Sequence, residues 1–232
     1  MFLAVSVLAA CAHAPARPAL RELQGAPPGG LAYRLYLSPE ASAARPHRLV
    51  LWLHPSGGSR NAKVARLAPM LAAHGFALLT PVDKDFSHWR TEDANRLLGV
   101  TLPSLSTLPE LDLRRPVLLG FSAGGQLALM LWQAQPAAVG GAAVMGTAPV
   151  DGYREPLTAP RAPAEVQART PLLVLTGERD VGAAPWRAAE RRLRAEGAVL
   201  TVRTVVGRGH QWLLDGAELE VFERWLAQLP PP

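Results

Sequence analysis

Apolar residues recur along this chain in two alternating patterns. Short, densely apolar runs mark strands: Leu31–Leu37, Arg48–His54, Phe76–Pro81, Pro116–Phe121, Gly140–Gly146, Pro171–Thr176 and Val199–Val206. The first alternates in polarity. The second, Leu49-Val50-Leu51-Trp52-Leu53, is apolar throughout, as expected of a strand covered on both faces. Between these runs the spacing is helical. Leu67–His74 has Pro69 in its first turn and Gly75 just past its end. A helix over Thr91–Leu108 is predicted to be kinked or interrupted by Pro103. From Gln126 onward, Leu127, Met130, Leu131 and Ala134 fall on one face. Pro185 opens a further helix that Gly197 closes, and Leu219, Phe222, Trp225, Leu226 and Leu229 form the apolar face of the last. Strand, helix and strand joined by short links make the right-handed crossovers of a parallel sheet. The predicted class is therefore α/β, with no internal repeat and no second domain. Ala148–Thr170 is the one long, Pro-rich, irregular stretch, and so a candidate lid or binding segment.

Composition narrows the choice of partner. A chain of 232 residues, 49% of them apolar, is long enough for one domain with a sizeable core. The net charge is +5, carried almost wholly by arginine, with Lys63 and Lys84 the only lysines. The arginines are scattered; the one local group, Arg191-Arg192-Arg194, is flanked by Glu190 and Glu196 on a helix and reads as a solvated face. Nucleic acid is not an expected partner.

The N-terminus carries a separate signal. Phe2–Ala10 is too short to span a bilayer but fits the apolar centre of a signal peptide. It ends in Leu8-Ala9-Ala10-Cys11, and Cys11 is the only cysteine, so no intrachain disulfide can form. The four residues resemble the lipobox of bacterial lipoproteins, although no Lys or Arg precedes the apolar run. That resemblance implies removal of residues 1–10, acylation of Cys11, and a protein held by lipid at the bacterial cell envelope, on the periplasmic or outer-membrane face; without a working signal the location is cytoplasmic. Residues 11–30, rich in Ala, Pro and Gly, read as a tether to a domain spanning 31–232.

The candidate chemistry centres on Gly120-Phe121-Ser122-Ala123-Gly124, which lies between an apolar strand and a helix. A serine at such a turn has its hydroxyl thrust into the open, and the N–H of the next residue, Ala123, faces the oxygen of a bound acyl group. Serine needs a base, and the base needs an acid to fix its tautomer. Of six histidines only His210 follows Ser122, in a glycine-flanked loop between the last strand and the last helix. Asp180, after the penultimate strand, is the preferred acid. Asp151, one strand earlier, is the alternative. Glu178 reads as a surface or loop-fixing residue and Asp215 as a helix N-cap. After the second apolar strand, His54-Pro55-Ser56-Gly57-Gly58 has no Walker Lys-Ser/Thr and suits a second oxyanion donor, from Ser56 or Gly57, since Pro55 has no N–H. His88 and Trp89, in a loop at the carboxyl ends of the strands, and Trp212, after His210, are candidates for touching substrate, with packing as the alternative.

Taken together, His54-Pro-Ser-Gly-Gly, Leu67-Ala-Pro-Met-Leu-Ala-Ala-His-Gly-Phe, Gly120-Phe-Ser-Ala-Gly-Gly, Leu175-Thr-Gly-Glu-Arg-Asp and Gly207-Arg-Gly-His resemble the alpha/beta-hydrolase superfamily, in its small serine carboxylesterase branch (phospholipase/carboxylesterase and dienelactone-hydrolase-like). The family usually has His-Gly at His54-Pro55, and dienelactone hydrolases use cysteine where this chain has Ser122. The resemblance implies a three-layer α/β/α fold with a mostly parallel central sheet and no large cap domain. It also implies a serine esterase that needs no cofactor or metal and acts on a small-molecule ester. A peptidase, thioesterase or acyltransferase using the same residues, or a silent envelope protein of this fold, are the alternatives.

Overall fold

A computed structural model describes residues 19–58, 60–82, 89–151 and 155–232. Its eight strands are β1 (Arg21–Gly25), β2 (Tyr33–Leu37), β3 (His47–Leu53), β4 (Phe76–Pro81), β5 (Leu111–Phe121), β6 (Gly141–Met145), β7 (Leu172–Gly177) and β8 (Leu200–Val205). They form one sheet in the order β1-β2-β4-β3-β5-β6-β7-β8. The β1–β2 and β2–β4 pairs are antiparallel and the remaining pairs are parallel.

Two apolar layers follow from the alternation of side chains along these strands. On one face Val50, Trp52, Leu78, Val117, Leu119 and Leu173 meet the short helices α1 (Asn61–Val64) and α2 (Ala68–Ala73) and the last helix, α8 (Gly216–Ala227). On the other, Leu49, Leu51, Leu53, Leu118 and Val174 lie with residues of the short α3 (Thr91–Arg96) and α4 (Leu102–Ser104) and of the longer α5 (Ala123–Ala134) and α7 (Ala183–Ala195). The uninterrupted apolar run of β3 is thus explained: alternate residues enter opposite layers. The short helix α6 (Ala164–Ala168) breaks the long irregular stretch.

Two expectations are revised, and the interruption predicted for the helix after residue 91 is found. Residues 21–25, read as tether, form edge strand β1, with Leu23 opposite Leu35. Only one large apolar residue marks this strand, because its pairing comes from β2, so the folded domain begins before residue 31. Ion pairs Arg21–Glu110 (2.9 Å) and Arg34–Glu22 (3.5 Å) decorate this edge, which suits an edge strand that must not recruit another chain. Strand β5 begins at Leu111, five residues before the predicted start. Pro116 is accommodated where the register with β3 shifts between Arg48 and Val50, a place that needs no regular ladder donor. The helix predicted from residue 91 is split: α3 passes into a π-helical turn over Leu97–Thr101, then α4 and a 3₁₀ turn. Pro103 lacks the N–H that would continue the regular ladder. The Thr101 hydroxyl accepts from the Leu31 N–H at 2.7 Å and ties this segment to the link between β1 and β2.

The described part of the 148–170 stretch is pinned rather than free-standing. Gln126 donates to the Val150 carbonyl, Gln133 to Thr158, and Ala159 N–H to Glu196 at 2.8 Å. Among the described residues no helix is long and apolar enough to cross a membrane. Cys11 and the lipobox-like residues lie outside the described residues.

Candidate active site

Ser122 stands between the end of β5 and the start of α5 with φ 54° and ψ −119°. A positive φ on a non-glycine residue is costly and persists only where surrounding structure enforces it. Here that structure is visible. The Ser122 N–H donates to the Met145 carbonyl of β6 at 2.9 Å, and its carbonyl accepts from Gln126 N–H at 2.9 Å. The flanking glycines permit the tight turn. A Cβ on Gly124 would lie 1.9 Å from the Leu53 carbonyl oxygen, and one on Gly120 would lie 2.5 Å from the Gly124 oxygen. The helix thus begins at Ala123, three residues before the expected start, because the glycines that weaken the sequence signal for a helix are required by packing.

The loop after β8 brings His210 to this turn. Its Nε2 lies 3.0 Å from Ser122 Oγ, and its Nδ1 lies 2.8 Å from Asp180 Oδ2. Since a carboxylate only accepts, Nδ1 carries the proton and Nε2 faces the hydroxyl as acceptor. The other Asp180 oxygen accepts from Gly182 N–H at 3.0 Å, so both carboxylate oxygens are held. The loops carrying Asp180 and His210 are laced together: Arg179 N–H donates to the Arg208 carbonyl at 2.8 Å, and Gly207 N–H to Glu178 Oε2 at 2.9 Å. Glu178 is the loop-fixing residue that the sequence suggested. Phe121 walls the imidazole, ring centroids 5.3 Å apart. A hydroxyl, an imidazole and a buried carboxylate in one hydrogen-bonded row can pass the hydroxyl proton to the ring while the carboxylate holds the ring's tautomer.

The structure separates the two acid candidates. Asp151 Oδ1 accepts from Glu155 N–H at 3.0 Å, a local loop contact, whereas Asp180 makes the bond to His210. Asp215 is at the N-cap position of α8, but its side chain pairs with Arg208 at 2.9 Å instead of capping the helix.

The turn after β3 lies against this site, since Gly124 abuts the carbonyls of Leu53 and His54. His54 is almost wholly buried, and its Nδ1 donates to the Pro55 carbonyl at 2.8 Å. In a trans peptide the C=O and the following N–H point in opposite directions. The Ser56 N–H therefore points away from the buried imidazole, a constraint that does not extend to Gly57. Ala123 N–H opens α5, where first-turn donors have no partner within the helix.

The aromatic candidates differ. Trp212 is buried in the core with its ring edge-on to Trp52, 5.7 Å between centroids, and its indole N–H donates to the Leu214 carbonyl at 2.9 Å. That is packing rather than a surface open to substrate. Trp89 is half-buried; its indole N–H donates to the His54 carbonyl at 2.8 Å, a role no sequence pattern announced. His88 lies outside the described residues. Among the described residues no group of three or more His, Cys, Asp or Glu side chains is placed to hold a metal ion.

No family model and no curated relative matches the chain. Solved structures do. The carboxylesterase of Bacillus cereus aligns over 86% of this chain and 94% of its own, at 17% identity and a TM-score of 0.61. The fluorophosphonate-binding serine hydrolase F of Staphylococcus aureus aligns over 90% and 98%, at 12% identity and a TM-score of 0.66. The S-formylglutathione hydrolase of the same organism covers 90% and 99%, also at 12% and 0.66. The chain has the α/β-hydrolase fold. At these identities the likeness extends to architecture alone. Within that fold Ser122, Asp180 and His210 follow β5, β7 and β8 in chain order, and no large cap domain is present among the described residues.

Proposed function

We propose that this protein is a serine hydrolase that cleaves carboxylic esters of small molecules through an acyl-enzyme. The observation that carries the reading is the row Ser122–His210–Asp180, at 3.0 and 2.8 Å, with its serine held at a positive φ. Ser122 Oγ attacks the ester carbonyl as His210 Nε2 takes the hydroxyl proton, and Asp180 stabilises the imidazolium. The tetrahedral oxyanion accepts hydrogen bonds from Ala123 N–H and Ser56 N–H. Collapse expels the alcohol, which takes the proton from His210. Water, deprotonated by the same ring, then attacks the acyl-enzyme and releases the acid and free Ser122. Preorganised donors at the oxyanion are commonly the largest contribution in such sites.

The test is Ser122→Ala assayed with p-nitrophenyl acetate and butyrate. Turnover vanishes while the melting temperature stays that of the wild type; an active variant would remove Ser122 from the mechanism.

The site of action proposed for the enzyme is the bacterial cell envelope, through a lipid on Cys11. Cys11→Ser is expected to abolish incorporation of labelled fatty acid and to move the protein from the membrane to the soluble fraction; wild-type fractionation of the variant would contradict this.

A further inference from the structure

Among the described residues, the turn His54–Gly58 takes little support from backbone hydrogen bonds. Pro55 has no N–H, and Gly57 and Gly58 adopt φ of 75° and 142° with open space where a side chain would stand. Among the described residues, 55–58 make no backbone–backbone hydrogen bond. Glycine-rich backbone of this kind has many conformations available to it. Side-chain bonds hold it instead. One runs from His54 Nδ1 to the Pro55 carbonyl. Another comes from outside the turn: Trp89 Nε1 donates to the His54 carbonyl at 2.8 Å, and the indole leans over the His54 ring with centroids 4.7 Å apart. Trp89 is itself anchored through the adjoining residue. Arg90 N–H donates to Asp93 Oδ2 at 3.0 Å at the start of α3, and Asp93 is buried.

We propose that Trp89 is a positioning residue for the oxyanion turn. Its indole N–H fixes the His54 peptide so that the Ser56 N–H keeps its direction beside Ala123 N–H. This rests on the esterase reading and deepens it: Trp89 acts on the transition state through the turn, not by touching substrate.

The test replaces Trp89 with 3-benzothienylalanine, which keeps the bicyclic ring and its packing but has no N–H, and in parallel with Phe. With p-nitrophenyl acetate, kcat is expected to fall about tenfold with KM within about twofold, less than the loss from deleting a donor outright. Affinity for a trifluoromethyl ketone, which mimics the tetrahedral oxyanion, falls in parallel, while the melting temperature of the benzothienyl variant and the stoichiometry of fluorophosphonate labelling at Ser122 are unchanged. Wild-type kcat and ketone affinity in the benzothienyl variant would overturn the proposal. A rise in KM alone would overturn it too, placing the ring against substrate, as would a kcat loss that merely tracks the folded fraction. An active Ser122→Ala protein is a different failure, that of the esterase reading itself.

Discussion

The Asp180 carboxylate and the His210 imidazole meet at 2.8 Å from opposite environments: the Asp180 side chain is 1% exposed and that of His210 is 51% exposed. The buried partner is fixed by Gly182 N–H on its second oxygen. The exposed one is thereby steered from below while its other nitrogen stays open towards Ser122. Loss of the carboxylate should leave the ring in place but free to take the wrong tautomer. Asp180→Asn is expected to lower kcat on p-nitrophenyl esters by about 10⁴-fold, by analogy with other serine–histidine–aspartate sites. Asp151→Asn, whose carboxylate holds a local loop bond, should leave kcat within about twofold of the wild type. Steady-state assays of the two purified variants check this directly, and the reverse ranking would reassign the acid.

Gly146 forms the floor beneath the imidazole. It has φ 59°, and a Cβ there would lie 2.8 Å from Phe121 Cε2 and 3.2 Å from His210 Cε1. Gly146→Ala therefore carries backbone strain of about 1–2 kcal/mol and also pushes on the ring. The expected result is a lower melting temperature together with a loss of kcat of about tenfold or more in the folded protein, since small misplacements of a reacting group are costly. Full activity in a folded Gly146→Ala protein would show that the ring is not held against this wall.

Stability should depend on pH through His47, at the start of β3. Burial holds its imidazole below the ordinary value of 6.5, opposed by a hydrogen bond with the Phe76 backbone; Arg45 lowers it further and Glu40 raises it. The unfolded chain therefore binds a proton first as pH falls. The contribution is fully present above 6.5 and is lost as pH drops from there through the depressed folded value. The lowered carboxyls of Asp112 and Glu196 act only further down, below their ordinary values of 3.8 and 4.5. Thermal melts between about pH 7.5 and about pH 5 should show a decline that is flatter in His47→Gln than in the wild type. Equal slopes would remove His47 as the source.

Much of the architecture was legible because its signals are local. The apolar runs of β3, β4, β6 and β7 reveal strands covered on both faces, and Ser122, Asp180 and His210 stand where strand ends place them. What the sequence hid depends on distant partners. Strand β1 is polar because it lies at an edge and takes its register from β2. The early start of α5 was masked by Gly124 and Gly125, residues that read as helix breakers but are demanded by the Leu53 carbonyl and Thr147 at their backs. Trp212, two residues after His210, reads equally as a substrate contact or as packing; the fold decides for packing, with the ring in the core against Trp52. Trp89 reads from the sequence as a substrate contact or as packing; only the folded chain sets its indole N–H on the His54 carbonyl. The direction of the Ser56 N–H, on which its proposed role at the oxyanion rests, follows from the Pro55 peptide plane, which no residue pattern encodes.

The central claim is that Ser122 is a hydroxyl activated by His210 at the head of α5. Treatment of the folded protein with a fluorophosphonate probe, with intact-mass measurement and peptide mapping, tests it most directly. The account predicts one adduct per chain, on Ser122, and none in His210→Ala within the same exposure. No adduct on well-folded wild-type protein, or an adduct on another residue, would contradict it.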